Sequence, residues 1–259
     1  FGGGWERSCG PVEPFTPNGR PSQEADRIHV HLGAHIAARL RAFGEHRAQE
    51  TLQVRIVKKQ AEAEGIASYE LARLDGAALP PFSAGSHIDV HLPGGQSGGL
   101  VRQYSLCNAS HESHRYRIAV LRDPASRGGS VAMHDSVHEG DVITISTPRN
   151  HFALHPAQRT LLLAGGIGVT PLLCMAVRLA RTGADFALHY CTRSAERTAF
   201  AAEIAASAMA PHAHFHFDAG APEQKLDTAA VLAAPSPDKR LYVCGPAGFI
   251  DHVVTTAKA

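Results

Sequence analysis

Residues 159–173 read Arg-Thr-Leu-Leu-Leu-Ala-Gly-Gly-Ile-Gly-Val-Thr-Pro-Leu-Leu. Leu161-Leu162-Leu163-Ala164 is an unbroken apolar run, the pattern of a strand buried on both faces. The spacing beyond it predicts a helix over residues 169–181. Between the two, Gly165, Gly166 and Gly168 free the backbone, and Pro171 suits a first helical turn because its missing N–H would have no partner there. A strand ending in a glycine turn and a helix N-terminus is where a parallel sheet meets a phosphate. Pro171 stands where the Rossmann fingerprint has its third glycine, so by itself the motif equally describes a tight turn that binds nothing.

Downstream, the pattern of apolar strand and helix repeats. Strands are predicted over residues 186–191, 213–217 and 241–243, and helices over 195–208, near 227–233 and over 247–258. Strands alternating with helices mean a doubly wound α/β parallel sheet covered on both faces. Tyr242-Val243-Cys244-Gly245-Pro246 closes the last strand, and the carboxyl ends of strands are where such sheets bind ligands.

Upstream, the period shortens to two. Leu52-Val54-Ile56, Ile88-Val90-Leu92, Tyr116-Ile118-Val120 and Ile143-Ile145 alternate, and Gly and Pro clusters separate them. Short strands at this spacing predict a small antiparallel β barrel. The expected division is therefore a barrel over residues 51–155 and an α/β domain over 156–259. Residues 1–50 read as a Gly- and Pro-rich linker followed by an amphipathic helix over 28–47, the tail of an upstream domain. The chain opens on Phe1 with no leader, which fits a piece of a longer protein.

Composition excludes other classes. Lys plus Arg number 25 against 24 Asp plus Glu, so no basic surplus supports a nucleic-acid partner. No apolar run reaches the ~18 residues of a membrane span. The five cysteines, Cys9, Cys107, Cys174, Cys191 and Cys244, are odd in number, widely spread and without CxxC spacing. That argues against a disulfide framework and fits a reducing cytoplasm. It also argues against a cysteine-held zinc or iron–sulfur centre in this stretch, and no metal ligand is assigned. His212, His214 and His216 alternate, so on a strand they would share one face, read here as a solvated face ahead of a metal site.

Arg102-Gln103-Tyr104-Ser105-Leu106-Cys107-Asn108 alternates like a strand. An arginine, an aromatic ring and a hydroxyl so placed can hold a phosphate, stack on a planar ring and hydrogen-bond to it. Arg127-Gly128-Gly129-Ser130 supplies a second anion site ahead of a helix starting at Val131.

In this order the motifs resemble those of the phthalate dioxygenase reductase family, within the ferredoxin–NADP reductase superfamily. The resemblance runs from Thr51 to the end, roughly four-fifths of the chain. It also draws on Pro148-Arg149-Asn150-His151-Phe152, on Gly165 through Pro171, on Thr192-Arg193 and on Cys244-Gly245-Pro246. It implies an FMN-binding barrel followed by an NADH-binding domain. Arg102 would bind the FMN phosphate with Gly128, Gly129 and Ser130. Gln103, Tyr104 and Ser105 would meet the isoalloxazine, with the backbone of Ala119, Val120 and Leu121 lining it and Thr170 reaching it from the second domain. Gly165, Gly166, Gly168, Thr192 and Arg193 would hold the dinucleotide. Cys244, Gly245 and Pro246 would lie near the nicotinamide. The catalytic candidates are Ser105, as hydrogen-bond partner of the flavin, and Cys244, as steric guide for the nicotinamide.

The family ordinarily continues into a plant-type ferredoxin domain with a 2Fe-2S cluster, which this sequence lacks, so that cluster is expected outside the chain. The expected activity is an NAD(P)H-dependent flavin oxidoreductase. It takes a hydride from NADH and passes single electrons to a 2Fe-2S ferredoxin domain and then to an oxygenase or fused upstream catalytic domain. The alternatives are the reductase portion of a self-sufficient haem or corrinoid enzyme using NADPH, and a dinucleotide sensor without activity. The stretch around Cys9 is similar to the cysteine loop of haem-thiolate monooxygenases. The spacing from Phe1 and the prolines that follow do not fit, and no haem ligand is expected.

Overall fold

The structure, a computed structural model, describes residues 29–32, 50–92, 100–123, 125–126, 128–233, 236 and 238–259. A short strand, β1 (His29–Leu32), comes first. The antiparallel sheet then contains β2 (Thr51–Ala63), β3 (Ile66–Arg73), β4 (His87–Leu92), β5 (Leu100–Ser105), β6 (Tyr116–Leu121) and β7 (Val142–Ser146), with helix α1 (Gly129–Ser136) inserted before β7. Its strand order is β5-β4-β7-β2-β3-β6. Side chains one residue apart point to opposite faces, so Val54, Ile56, Tyr69, Leu71, Ile88, Val90, Tyr116, Ile118, Ile143 and Ile145 converge on one buried core. The predicted strands all fall here, joined by β3. Ile66 through Tyr69 are all buried, so β3 lacks the alternation by which the others were read.

The order places β5 and β6 at opposite ends of the sheet, leaving a seam where a closed barrel would pair them. Helix α1 lies beside that seam and is tied down at several points. The Tyr69 hydroxyl donates to the Met133 carbonyl (2.7 Å), and Lys59 Nζ donates to the carbonyls of His134 (2.6 Å) and Val137 (2.7 Å). A lysine on the last carbonyls of a helix neutralises the negative end of its dipole. The first turn, Gly129 onward, is thereby held against the seam.

The second sheet contains β8 (Arg159–Gly165), β9 (Asp185–Thr192), β10 (Ala213–Phe217) and β11 (Lys239–Cys244), with helices α2 (Val169–Thr182), α3 (Ala201–Ala205), α4 (Thr228–Leu232) and α5 (Ala247–Lys258). The order is β1-β11-β8-β9-β10, all parallel. Leu162, Leu188, Tyr190 and Tyr242 face the core built on α2, while Leu161, Leu163, Leu241 and Val243 pack against Ile250 and Val253 of α5. Both faces are covered, which is why the strands read as continuous apolar runs.

Three expectations change. Within the helix predicted over residues 28–47, His29–Leu32 is a strand pairing with β11, and the rest lies outside the described residues. Its His31 ring stacks on Tyr242 at 4.6 Å, so an added parallel strand with a ring contact outweighs the helical spacing. The helix predicted over 195–208 is a 3-10 turn, Ala195–Arg197, followed by the short α3, because Phe200 adopts a left-handed conformation (φ 62°) at the break. His212 belongs to a 3-10 turn before β10 and stacks on Phe186 at 4.4 Å, away from His214 and His216. Those two instead join His189 of β9, whose Nδ1 lies 3.0 Å from His216 Nε2. These rings stack, and among the described residues no group of three or more His, Cys, Asp or Glu side chains is placed to hold a metal ion.

Burial pushes His189 down to about 4, with repulsion from His214, His216 and Arg159 adding to it. Burial also lowers His216, as does His214, against a hydrogen bond to the Lys225 backbone. An unfolded histidine titrates near about 6.5, so below that pH the unfolded chain binds protons that the fold refuses. The stability held by these neutral rings is complete above about pH 6.5 and is lost as the pH falls toward 4. Urea melts from pH 7 to pH 5 are expected to show a falling midpoint. His189→Gln should flatten that dependence, and an unchanged slope would contradict it.

Candidate functional site

The seam opens into a cavity of about 470 Å³. One wall is β5, with Arg102, Gln103, Tyr104 and Ser105; the other is β6, with Ala119, Val120 and Leu121. Ser130 of α1 closes one end, and Gly168, Thr170 and Cys244 of the second sheet close the other. Arg102–Ser105 of the barrel and Gly168 and Thr170 of the second sheet, more than sixty residues apart in sequence, thus face one slot. Edge strands carry backbone N–H and C=O groups without ladder partners, and here two such edges face the slot.

At the α1 end, a Cβ built on Gly129 would lie 2.5 Å from Arg102 Nε, so only glycine lets the guanidinium lie on the first helical turn. Arg102 Nη1 also donates to the Val101 carbonyl (2.9 Å). Ser130 Oγ accepts from the Asp123 backbone (3.1 Å), and Ser126 Oγ accepts from the Ser130 backbone (3.3 Å). A guanidinium, a helix N-terminus without acidic residues in its first turn, and hydroxyls gather here, a chemistry that can hold an anion. Gly128, at φ 91°, caps this helix; Arg127 lies outside the described residues. Tyr104 packs against the barrel core, and burial pushes its hydroxyl up to about 12, with Arg102 opposing.

The opposite end is built by the glycine turn, a 3-10 turn Gly166–Gly168 between β8 and α2. A Cβ on Gly168 would overlap the Cys244 carbonyl oxygen. A Cβ on Gly165 would come within 2.9 Å of the Phe249 ring and 3.1 Å of Pro246, and one on Gly245 within 3.0 Å of Gly165 Cα. Gly165, Gly168, Gly245 and Pro246 therefore bring two strand ends into backbone contact. Gly166 differs: its φ is 53° and nothing stands within 4 Å of its missing Cβ. It is half-buried, and it is the glycine of the turn that faces open space. The close packing sets Thr170 and Cys244 into the slot. Burial pushes the Cys244 thiol up to about 12, so it remains a neutral, compact group at physiological pH.

Thr192 ends β9, Arg193 follows it, and neither lines the slot. Asp218 N–H donates to the Thr192 carbonyl (2.9 Å) and Ala219 N–H to that of Arg193 (3.0 Å), so Asp218 sits beside both. Sequence reasoning missed His87, Asp123, Ile167 and Pro171, which also line the slot. His87 pairs across the strands with Ser105, a register that only the ladder reveals.

Arg102, the α1 N-terminus and a slot bounded by the Tyr104 ring and two strand edges without ladder partners have the chemistry to hold a planar ring carrying a phosphate. The class of protein so defined is a two-domain module in which a barrel slot opens onto the ligand-binding edge of a doubly wound sheet. No family model matches the chain. It is 56% identical over 205 residues to a vanillate O-demethylase oxidoreductase of Pseudomonas putida, covering 79% of this chain and 63% of that protein. The solved phthalate dioxygenase reductase, a modular structure for electron transfer from pyridine nucleotides to a 2Fe-2S centre, superposes with a TM-score of 0.75 at 40% identity, over 80% of this chain and 64% of that one. An intact type IV self-sufficient cytochrome P450 monooxygenase superposes with a TM-score of 0.74 at 32% identity, over 80% of this chain and 26% of that one. The chain is homologous to the phthalate dioxygenase reductase-like reductases of the ferredoxin–NADP reductase superfamily. It spans less than two thirds of the length of the curated relatives it matches. Among the described residues no helix is long and apolar enough to cross a membrane.

The two kinds of glycine separate by substitution. Gly168→Ala is expected to lower stability by more than about 2 kcal/mol, since backbone must move. Gly166→Ala meets open space and should cost only about 1 kcal/mol for its left-handed backbone. Denaturant melts of the two variants check this; equal losses would contradict it.

Proposed function

We propose that the module is the flavin and nucleotide portion of an NADH-dependent reductase with FMN in the slot, serving an oxygenase through a 2Fe-2S ferredoxin domain. The observation that carries this reading is the shared slot, where the ring-holding wall of the barrel meets the ligand edge of the parallel sheet. When bound, the flavin supplies a ring that accepts a hydride and returns electrons singly. The protein's own work is then to hold and orient.

Arg102, the Gly128–Gly129 turn and Ser130 hold the phosphate. A site built for one phosphate at a helix N-terminus favours FMN over FAD. Tyr104 packs on the ring, Gln103 and the backbone of Ala119, Val120 and Leu121 line it, and the Ser105 hydroxyl donates a hydrogen bond to it. Thr170 and Cys244 close the slot from the second sheet, where a neutral thiol excludes water and spaces the nicotinamide. Gly166 offers open backbone to the diphosphate, with Gly165, Gly168, Gly245 and Pro246 shaping the turn around it. Thr192 and Arg193 meet the adenosine. Asp218, held beside them, favours NADH, because a carboxylate accepts ribose hydroxyls and repels a 2′-phosphate. The slot's lining offers no acid–base pair of its own beyond His87 and Asp123, consistent with chemistry carried by the cofactors.

The likeness to a self-sufficient P450 supports a second reading, the reductase portion of a fused haem enzyme using NADPH. The higher identity to the vanillate and phthalate reductases, and Asp218, favour the first.

The purified chain loaded with FMN is expected to be yellow and to bleach with NADH under anaerobic conditions; a colourless protein that takes up no FMN overturns the reading. Ser105→Ala should retain FMN while slowing stopped-flow reduction by about 10- to 100-fold, the loss of one oriented hydrogen bond. Asp218→Ser should raise the NADPH-to-NADH ratio of kcat/KM by at least about tenfold; an unchanged ratio would count against NADH selection there.

A further inference from the structure

The segment that follows Thr192 and Arg193 is fastened to the barrel at two points. The first is Arg117 of β6, two residues before Ala119 in the slot wall. Its Nη1 and Nη2 donate to Glu203 Oε2 and Oε1 of α3, each at 2.7 Å, a bidentate fork. The Arg117 side chain is only 11% exposed, and its guanidinium lies 5.0 Å over the Phe200 ring. The second is Glu64 in the β2–β3 turn, which accepts from Arg197 Nε (3.0 Å) and Nη2 (2.6 Å) and whose backbone N–H donates to the Glu196 carbonyl (2.9 Å). This second pair is well exposed and contributes little by itself.

Between the two fastenings the chain is not relaxed. Phe200 is the only non-glycine residue with positive φ among the described residues, and an aromatic residue there costs about 1–2 kcal/mol. It is held by burial, at 3% exposure, within the core that also contains Ile204, Leu188 and Tyr190. The same segment is tied back to the nucleotide end, since Thr192 Oγ1 and Thr198 Oγ1 lie 2.7 Å apart and both contact the Ser194 carbonyl. On the barrel side, the Arg117 backbone is equally fixed. Its carbonyl accepts from Cys107 N–H (2.8 Å) and its N–H donates to Asn108 Oδ1 (2.8 Å). A continuous set of contacts therefore runs from Thr192 through Thr198, Phe200 and Arg117 to the wall at Ala119.

We infer that Arg117 and Glu203 are positioning residues that clasp the nucleotide segment to the flavin wall and so set how closely the two rings approach. The inference rests on the reading of the slot as a flavin site facing a nicotinamide. It assigns the fork no contact with either cofactor. Its effect is on orientation, where a misplacement of about 1 Å can cost on the order of a hundredfold in rate. A fork suits this role better than an apolar contact, since two parallel hydrogen bonds fix angle as well as distance.

The test compares Arg117→Ala, Glu203→Gln and the exchanged pair Arg117→Glu with Glu203→Arg. Four readouts are taken: FMN affinity, the rate and KM of reduction by NADH, the long-wavelength absorbance that a non-reducing tetrahydro analogue of NADH induces on stacking with bound FMN, and amide hydrogen exchange over residues 194–205 in the FMN-free chain. The single variants are expected to bind FMN within about threefold of the parent. They should lose most of the stacking absorbance, slow NADH reduction by about 10- to 100-fold with little change in KM, and exchange faster over 194–205. The exchanged pair should recover part of both the absorbance and the rate. If Arg117→Ala fails to fold, Glu203→Gln, which keeps the side-chain shape, decides alone. Parent-like absorbance, rate and exchange in Glu203→Gln would overturn the inference. Should the parent itself take up no FMN, the reading of the slot fails, and the exchange of the flavin-free variants still decides whether the fork pins the segment.

Discussion

The structure depends on a barrel that does not close. Six antiparallel strands bury one side of each pleat in a common core, but β5 and β6 stand at opposite ends of the strand order and leave a seam. Exposed strand edges invite pairing with whatever reaches them, and folded proteins cover them. Here the cover is shared. Helix α1, fixed by Tyr69 and Lys59, closes one end, and the glycine turn of the parallel sheet closes the other. What remains between is a slot with two rows of backbone donors and acceptors and a guanidinium at its foot. The proposed flavin site rests on that arrangement.

The seam also explains why the second sheet must be so tightly built at one corner. Gly168 lies against the Cys244 carbonyl and Gly165 against Phe249 and Gly245, so the ends of β8 and β11 meet backbone to backbone. Larger side chains would spread those strand ends and withdraw Thr170 and Cys244 from the slot. Most glycines of the motif thus serve packing within the sheet, and Gly166 alone leaves its backbone open. A glycine-rich turn here combines close packing at Gly165 and Gly168 with open space at Gly166, which the letters of the sequence cannot separate.

Much of this is legible in the sequence, for identifiable reasons. Strands 8, 9 and 11 are buried on both faces, so their apolar runs announce them, and the strands around Val54, Ile88, Tyr116 and Ile143 alternate cleanly. The motif residues Arg102, Tyr104, Ser105, Ala119, Thr170 and Cys244 do converge on one slot. What escaped lacked a local signal. β3 is buried on both sides near Ala67 and Ser68 and shows no period. His29–Leu32 carries helical spacing yet joins a sheet, because the unpaired edge of β11 offers a ladder that local propensity does not see. His87 enters the site only through its register opposite Ser105, and His212 leaves the histidine face because the chain turns before β10 begins. The fork between Arg117 and Glu203 joins residues 86 apart, a distance no periodicity spans.

That fork also shows what charge does at the junction of the two sheets. A half-buried ion pair gives back in attraction about what it loses in hydration, so it is a poor source of stability. Burial works against the Arg117 charge, and the Glu203 carboxylate more than restores it, raising the guanidinium pKa. The gain is geometric. An apolar contact between α3 and β6 would tolerate sliding, whereas a planar fork over an aromatic ring permits one approach. Phe200 carries the strain of that approach in its backbone, and the core around Ile204 and Tyr190 holds it there. The two sheets thus meet through apolar packing around Met175 and Phe152, which supplies cohesion, and through a charged clasp, which supplies orientation. On the reading of the slot as a flavin site facing a nicotinamide, the first would hold the sheets together and the second would set the angle between the rings.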